Sequence, residues 1–208
     1  VDSIDVVAGR VRGVWMEGGD HIACSAVVVC TGTFLNGLIH IGPERRPAGR
    51  VGEAPSLGLA EWLKTHGFKW GRLKTGTPPR LHRKSIDFQK QVRTGVFEEE
   101  LGDATPTQLS TYCRTEIRNQ VSCWLVRTNQ DVHRLVRENI GVSPLFNGQI
   151  QGIGPRYCPS LEDKVMRFPE KEQHQVYLEP EGLDADEIYM NGFSMSLPRD
   201  VQERLVHA

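Results

Sequence analysis

No C-x-x-C pair occurs among the five cysteines, Cys24, Cys30, Cys113, Cys123 and Cys158. That absence argues against a zinc site. The odd number and wide spacing favour reduced thiols in a cytosol-like, cytoplasmic compartment over a disulfide framework. No apolar run approaches the roughly 18–20 residues of a membrane-spanning helix, and no signal-peptide pattern opens the chain. Neither sign of charge dominates: 25 Lys and Arg face 26 Asp and Glu, for a net charge of −1. A global basic field for nucleic acid is therefore absent, although a local patch is compatible with the composition. There is no G-x-G-x-x-G and no Walker loop; Gly148, Gly152 and Gly154 lie close together but match neither spacing.

What is present suits a packed protein. The 208 residues are 38% hydrophobic and 25% charged, enough for one large domain or two small ones. The chain starts "VDSIDVV", without Met, and stops in "DVQERLVHA", which reads as a helix in progress. Both ends suggest an interior piece of a longer protein.

The segment "VRGVWM" (11–16) is strand-like, and "EGGD" after it is a turn. "VVVCTGTF" contains a continuous apolar run, 26–30, of the kind found in strands buried on both faces of a parallel sheet. Thr31, Gly32 and Thr33 would then sit at the carboxyl edge of that sheet, where ligands bind in open α/β folds. In "PAGRVGEAPS", Gly49 and Gly52 loosen a loop, Arg50 adds a cation, and Ser56 is placed to cap a helix over "LGLAEWLKTH". Such a turn can cradle a pyrophosphate or be an ordinary loop. "KTGTPPR" follows: Lys74, Thr75, Gly76 and Thr77 precede a double proline that bars helix. Residues 81–122 read as an irregular, polar insertion with weak secondary structure. A helix is expected from about Gln130, capped by Thr128 or Asn129, with an apolar stripe of Val132, Leu135, Val136 and Ile140. His133 near that stripe reads as a packing or surface residue. "HQVYLEPEG" is a strand and turn, and Pro198 opens a last helix.

The stretch "GPRYCPSLEDKVMRF" (154–168) poses the main question. Pro159 suits a first helical turn, Ser160 with Asp163 approximates a capping box, and Leu161, Val165 and Phe168 share one face. Cys158 thus lies at or just before a helix start, with Arg156 and Lys164 nearby. Those features favour a thiolate. Glu162 and Asp163 oppose it, and a lone cysteine is more often an inert small hydrophobe. The residues alone leave both readings open.

The same stretch resembles the signature of the MnmG/GidA family of flavin enzymes that modify tRNA wobble uridines. "VVVCTGTFLNGLIHIG", "AGRVGEAPS", "GRLKTGTPPR", "IDF" and "LEPEGLDADEIYMNGFSMSLP" resemble family segments in the same order. The likeness covers nearly the whole chain, least clearly residues 89–122. It departs from the family in "CWLVRTN", where Val126 and Arg127 replace the more usual Thr and His, and in "ATPTQLSTYCR" of the insertion.

The resemblance implies an α/β fold: part of a glutathione-reductase-type FAD-binding domain (1–72) and an inserted NADH-associated, tRNA-facing α/β domain (73–208) that returns toward the first near its end. It implies FAD, NADH and a folate donor on a GTPase partner of the MnmE type, with tRNA as substrate, a homodimer as the full-length form and no metal. It assigns Cys158 as the catalytic thiol. Gly154, Pro155, Arg156, Tyr157, Ser160, Glu162, Lys164 and Phe168 fall on the family's nicotinamide-binding stretch, and Arg156 and Lys164 also suit tRNA phosphates. Val1 and Ser56 match FAD contacts. Thr31, Gly32, Thr33, Gly49, Arg50, Gly52, Lys74, Thr75, Gly76 and Thr77 are expected to wall the flavin pocket. Two rival readings are a related folate-dependent tRNA uridine methyltransferase and, for this piece alone, a non-catalytic module that docks tRNA or a partner.

Overall fold

The computed structural model describes residues 1–108, 110–112, 117, 120–155 and 157–208. Its first unit is a three-stranded antiparallel meander of β1 (Ser3–Val7), β2 (Arg10–Trp15) and β3 (His21–Ala23). Ala8 and Gly9, both at positive φ, make the two-residue turn between β1 and β2. A small core of Ile4, Val14 and Leu59 joins this sheet to helix α1 (Gly58–Thr65). Gly67 ends α1: its N–H and that of Phe68 bond back to the carbonyls of Lys64 and Leu63, a Schellman pair. Ser56 does not cap α1. The cap position is Leu57, without a side-chain bond, because the Ser56 backbone is already paired with Phe34 and Asn36.

Residues 26–30 are not a strand, contrary to the expectation from their apolar run. Only Val27 packs against the small core, while Val28 is 86% exposed. A segment apolar on both faces becomes a buried strand only when neighbours cover both faces, and among the described residues no strand pairs with it. Farther on, β4 (Leu38–Ile41) and β5 (Glu44–Pro47) form a hairpin across Gly42–Pro43. Gly42 N–H donates to Ser196 O at 2.7 Å and so ties this hairpin to the second unit.

The second unit follows in chain order as β6 (Arg80–His82), α2 (Phe88–Arg93), β7 (Glu98–Glu100), β8 (Cys123–Arg127), α3 (Gln130–Asn139), α4 (Leu161–Arg167), β9 (Gln175–Pro180), β10 (Glu187–Asn191) and α5 (Arg199–His207). The strands form one antiparallel sheet in the order β6-β10-β9-β8-β7. Val176 and Leu178 of β9, and Ile188 and Met190 of β10, point to one buried face, as period-2 alternation requires. Helices α3, α4 and α5 cover it with Val136, Leu161, Val165, Val201 and Leu205. Asn129 caps α3 by accepting from Val132 N–H at 2.9 Å, and Pro198 precedes α5 as the sequence suggests.

Residues 81–122 carry more structure than their composition promised. They supply α2, whose Phe88 packs on Trp124 with the rings tilted by 32°, and the edge strand β7, while β6 (80–82) forms the opposite edge. Both strands have only three residues, too few to show alternation. Arg127, a departure from the family pattern, forms an ion pair with Glu98 of β7 and secures that edge.

Candidate functional site

The site around Cys158 is assembled from three segments that are distant in sequence. Leu73 pairs with Ile153 in a short parallel bridge, and Lys74 N–H donates to Ile153 O at 3.2 Å. This lays residues 72–75 against residues 152–154 and Cys158. The approach at Gly154 is close: a Cβ there would meet Lys74 Cε at 2.6 Å, so the lysine side chain would have to shift. The third segment, 194–196, is held by a bridge between Thr77 and Met195 and by Leu161 N–H donating to Ser194 O at 2.7 Å.

Cys158 is half-buried, two residues before the Ser160 cap of α4. Its N–H closes a turn onto Pro155 O at 3.2 Å, and its Sγ lies 3.6 Å from Thr75 Oγ1. The capping box read from the sequence is present: Asp163 N–H donates to Ser160 Oγ at 3.0 Å, and Ser160 N–H to Asp163 Oδ2 at 3.3 Å. Asp163 Oδ2 also receives Lys74 Nζ at 3.0 Å, and both side chains are largely buried. Burial acts to raise the Asp163 pKa. The Lys74 hydrogen bond and charge, the Ser160 N–H and Arg167 outweigh it, so the carboxyl lies below its ordinary value.

Glu162 is fully buried. Its Oε1 accepts from Ser196 N–H at 2.9 Å and from the hydroxyls of Ser196 and Ser143, each at 3.2 Å. The carboxylate therefore fastens α4 to segment 194–196, and thereby to Thr77. Its Oε2 has no hydrogen-bond partner among the described residues. Lys164 donates its ammonium to Gly192 O at 2.8 Å, and burial lowers its pKa. Thr77 Oγ1 accepts from Arg80 at 3.0 Å. Tyr157 and Phe168 are exposed, with the Lys171 ammonium over the Phe168 ring. Gly76 packs against Ser194. Pro155 supplies the turn carbonyl, and Arg156 lies outside the described residues.

The remaining expected residues form a separate group. Val1, Thr31 and Ser56 line a cavity of about 280 Å³ whose walls are otherwise mostly apolar: Ile4, Val14, Val27, Val28, Val29 and Leu59. Thr33 Oγ1 donates to Gly49 O at 2.8 Å, and Arg50 is paired with Glu53 at 2.6 Å, so the Arg50 charge is locally balanced. Gly32 and Gly52 are exposed at the edges of these loops. A mostly apolar lining with the hydroxyls of Thr31 and Ser56 has the composition of a small-molecule site. A link between the groups runs through Arg72, which donates to Asn36 O at 2.9 Å.

Sequence reasoning missed Ser143, Ser196 and the Lys74–Asp163 pair. The capping box revealed Asp163, but nothing local could reveal a lysine 89 residues away. No group of three or more His, Cys, Asp or Glu side chains among the described residues is arranged to hold a metal. No described helix is long and apolar enough to cross a membrane.

These features place the chain in the class of mixed α/β proteins. The structure superposes on GidA of Aquifex aeolicus with a TM-score of 0.81 at 44% identity, covering 98% of this chain and 34% of that one. A second crystal form of that protein gives 0.79 at 40% identity, covering 98% and 32%. Residues 1–208 match the family described as glucose inhibited division protein A, and the chain belongs to that family. A relative from Syntrophobacter fumaroxidans, named tRNA uridine 5-carboxymethylaminomethyl modification enzyme MnmG, is 50% identical over 208 residues, 100% of this chain and 32% of its own length. A protein of the same name from Granulibacter bethesdensis is 50% identical over 198 residues, 95% of this chain and 30% of its own. The chain thus spans about a third of the length of the curated relatives it matches.

Proposed function

We propose that the chain is part of an enzyme that builds an aminomethyl or carboxymethylaminomethyl group on carbon 5 of the wobble uridine of tRNA. The observation that carries this reading is the convergence of two family stretches on one thiol. Thr75 of "KTGTPPR" and Cys158 of "GPRYCPSLED" are 83 residues apart in sequence, and their side chains meet at 3.6 Å. Half-identity to relatives named for this modification supports the same conclusion.

Carbon 5 of uridine is a weak nucleophile. Addition of the Cys158 thiolate at carbon 6 turns carbon 5 into an enolate-like centre that captures an electrophilic one-carbon unit. Loss of the carbon 5 proton and expulsion of the thiolate then restore the ring and the free cysteine. The chain's own tasks are to present Cys158 at a fixed place and to hold the ring beside it. The Glu162 and Asp163 contacts serve the first task. Arg156 and Lys164 are assigned to phosphates of tRNA or of the nicotinamide cofactor.

FAD, when bound, supplies hydride chemistry at the one-carbon unit, and NADH resets it. The cavity of Val1, Thr31 and Ser56 would hold part of the flavin nucleotide, with the loops at Thr33, Gly49, Arg50 and Gly52 beside it and residues 74–77 as a farther wall. Residues 154–168 would take NADH. In the same reading, residues 1–72 belong to the FAD-binding domain and 73–208 to the inserted domain. The parent protein works in the cytoplasm as a homodimer with a GTPase of the MnmE type that carries the folate donor. Nucleoside mass spectrometry of tRNA from a strain lacking the gene tests this. Loss of the aminomethyl or carboxymethylaminomethyl uridine is expected; loss of 5-methyluridine alone would favour the methyltransferase instead.

A further inference from the structure

Two lysines of this site, Lys74 and Lys164, are committed elsewhere. Lys74 is on Asp163 at 3.0 Å, and Lys164 is on Gly192 O at 2.8 Å. Among the described residues, the hydroxyl of Thr75 is in hydrogen-bond contact with the sulfur. That hydroxyl sits on a short span anchored at both ends. On one side Lys74 is fixed by the Ile153 carbonyl and by Asp163. On the other, Gly76 packs on Ser194 and Thr77 bridges Met195. The sulfur is anchored equally, by the Pro155 turn before it and the Ser160 capping box after it. Thr75 is itself exposed, so its side chain fills no core space.

We infer that Thr75 is a second catalytic residue of this site, donating its O–H to the Cys158 sulfur to favour the thiolate and aim it. This rests on the reading of Cys158 as the nucleophile. A hydroxyl can donate to a thiolate and accept from a thiol, so the contact survives both protonation states but is stronger when the acceptor is charged. The thiol proton leaves to solvent as the thiolate forms, and no covalent bond to Thr75 forms or breaks. Thr75 thus supplies the stabilisation that the paired lysines do not.

The test is the pH profile of Cys158 alkylation by iodoacetamide in the full 208-residue chain, read on the Cys158 peptide by mass spectrometry. Thr75→Val should slow alkylation near neutral pH by about 5- to 10-fold, the effect of losing one hydrogen bond to a charged acceptor. Thr75→Ser should keep the wild-type rate, and the Cys24 peptide should alkylate alike in all three proteins. Thr75→Ala repeats the test if valine disturbs the loop. Superimposable Cys158 profiles for wild type and the hydroxyl-free variants would overturn the inference, as would a Thr75→Ser slowing as large as that of Thr75→Val. Failure of the nucleophile reading shows separately, as full uridine modification by the parent enzyme carrying Cys158→Ser.

Discussion

Residues 26–30 and residues 174–178 are both short apolar-rich segments, yet they meet opposite fates. Val28 is 86% exposed, whereas Val176 is 2% exposed. The second segment, from Gln175 onward, lies in β9, with β8 on one side, β10 on the other and helices over its buried face. The first has only a thin core of Ile4, Val14 and Leu59 beneath it. Burial of an apolar residue is thus a property of its neighbours as much as of its own sequence. The same contrast divides the candidate site. The Cys158 half stands on a continuous core and a buried Glu162, while the cavity of Val1, Thr31 and Ser56 stands on the thin one.

The largest effect should come from deepening the contrast. Ile188→Ala in the well-packed unit should cost about 2–5 kcal/mol, seen as a lower urea midpoint, because a fully buried side chain leaves a cavity. Lys74→Met should come next, at about 1.5–3 kcal/mol, by removing a charged hydrogen bond from a largely buried carboxylate. Circular dichroism should show the sheet retained.

A pH scan tests the same unit more gently. His133 and His174 pack ring to ring and are buried; burial first, then nearby positive charges, lower both pKa values, with Glu170 opposing at His174. Among the described residues, His133 Nδ1 and His174 Nε2 have no hydrogen-bond partner to stabilise a charged form. The unfolded state therefore takes up protons below about pH 6.5 that the folded state resists, and stability falls as pH drops through that value. The Asp163 pKa is also lowered, in this case because its charged form is stabilised by Lys74, so protonating it adds a second loss at more acidic pH. His174→Gln should flatten the first slope; an unchanged slope would remove the histidines from the account. The smallest effect is expected for Val28→Ser, within about ±0.5 kcal/mol, because the side chain is already in water. A large loss there would mean that segment 26–30 is packed after all and would erase the comparison.

Local signals were legible and distant ones were not. The Asn129 cap and the stripe of Val132, Leu135 and Val136 could be read because a helix repeats within its own turn. The Ser160–Asp163 capping box and the Pro198 start of α5 could be read for the same reason. Strands β6 and β7 could not, since three residues carry no period. The run 26–30 was misread because apolarity on both faces reports a capacity for burial, not its occurrence. Within the site, the sequence pointed to Cys158 and Thr75 separately. Their contact depends on the Leu73–Ile153 bridge and the Lys74–Asp163 pair, which only the tertiary fold creates.

The most direct test replaces Cys158 with Ser in the full-length parent protein and measures wobble-uridine modification by nucleoside mass spectrometry. The account predicts that the aminomethyl and carboxymethylaminomethyl products disappear while the protein remains folded. Undiminished modification by the folded variant would contradict it.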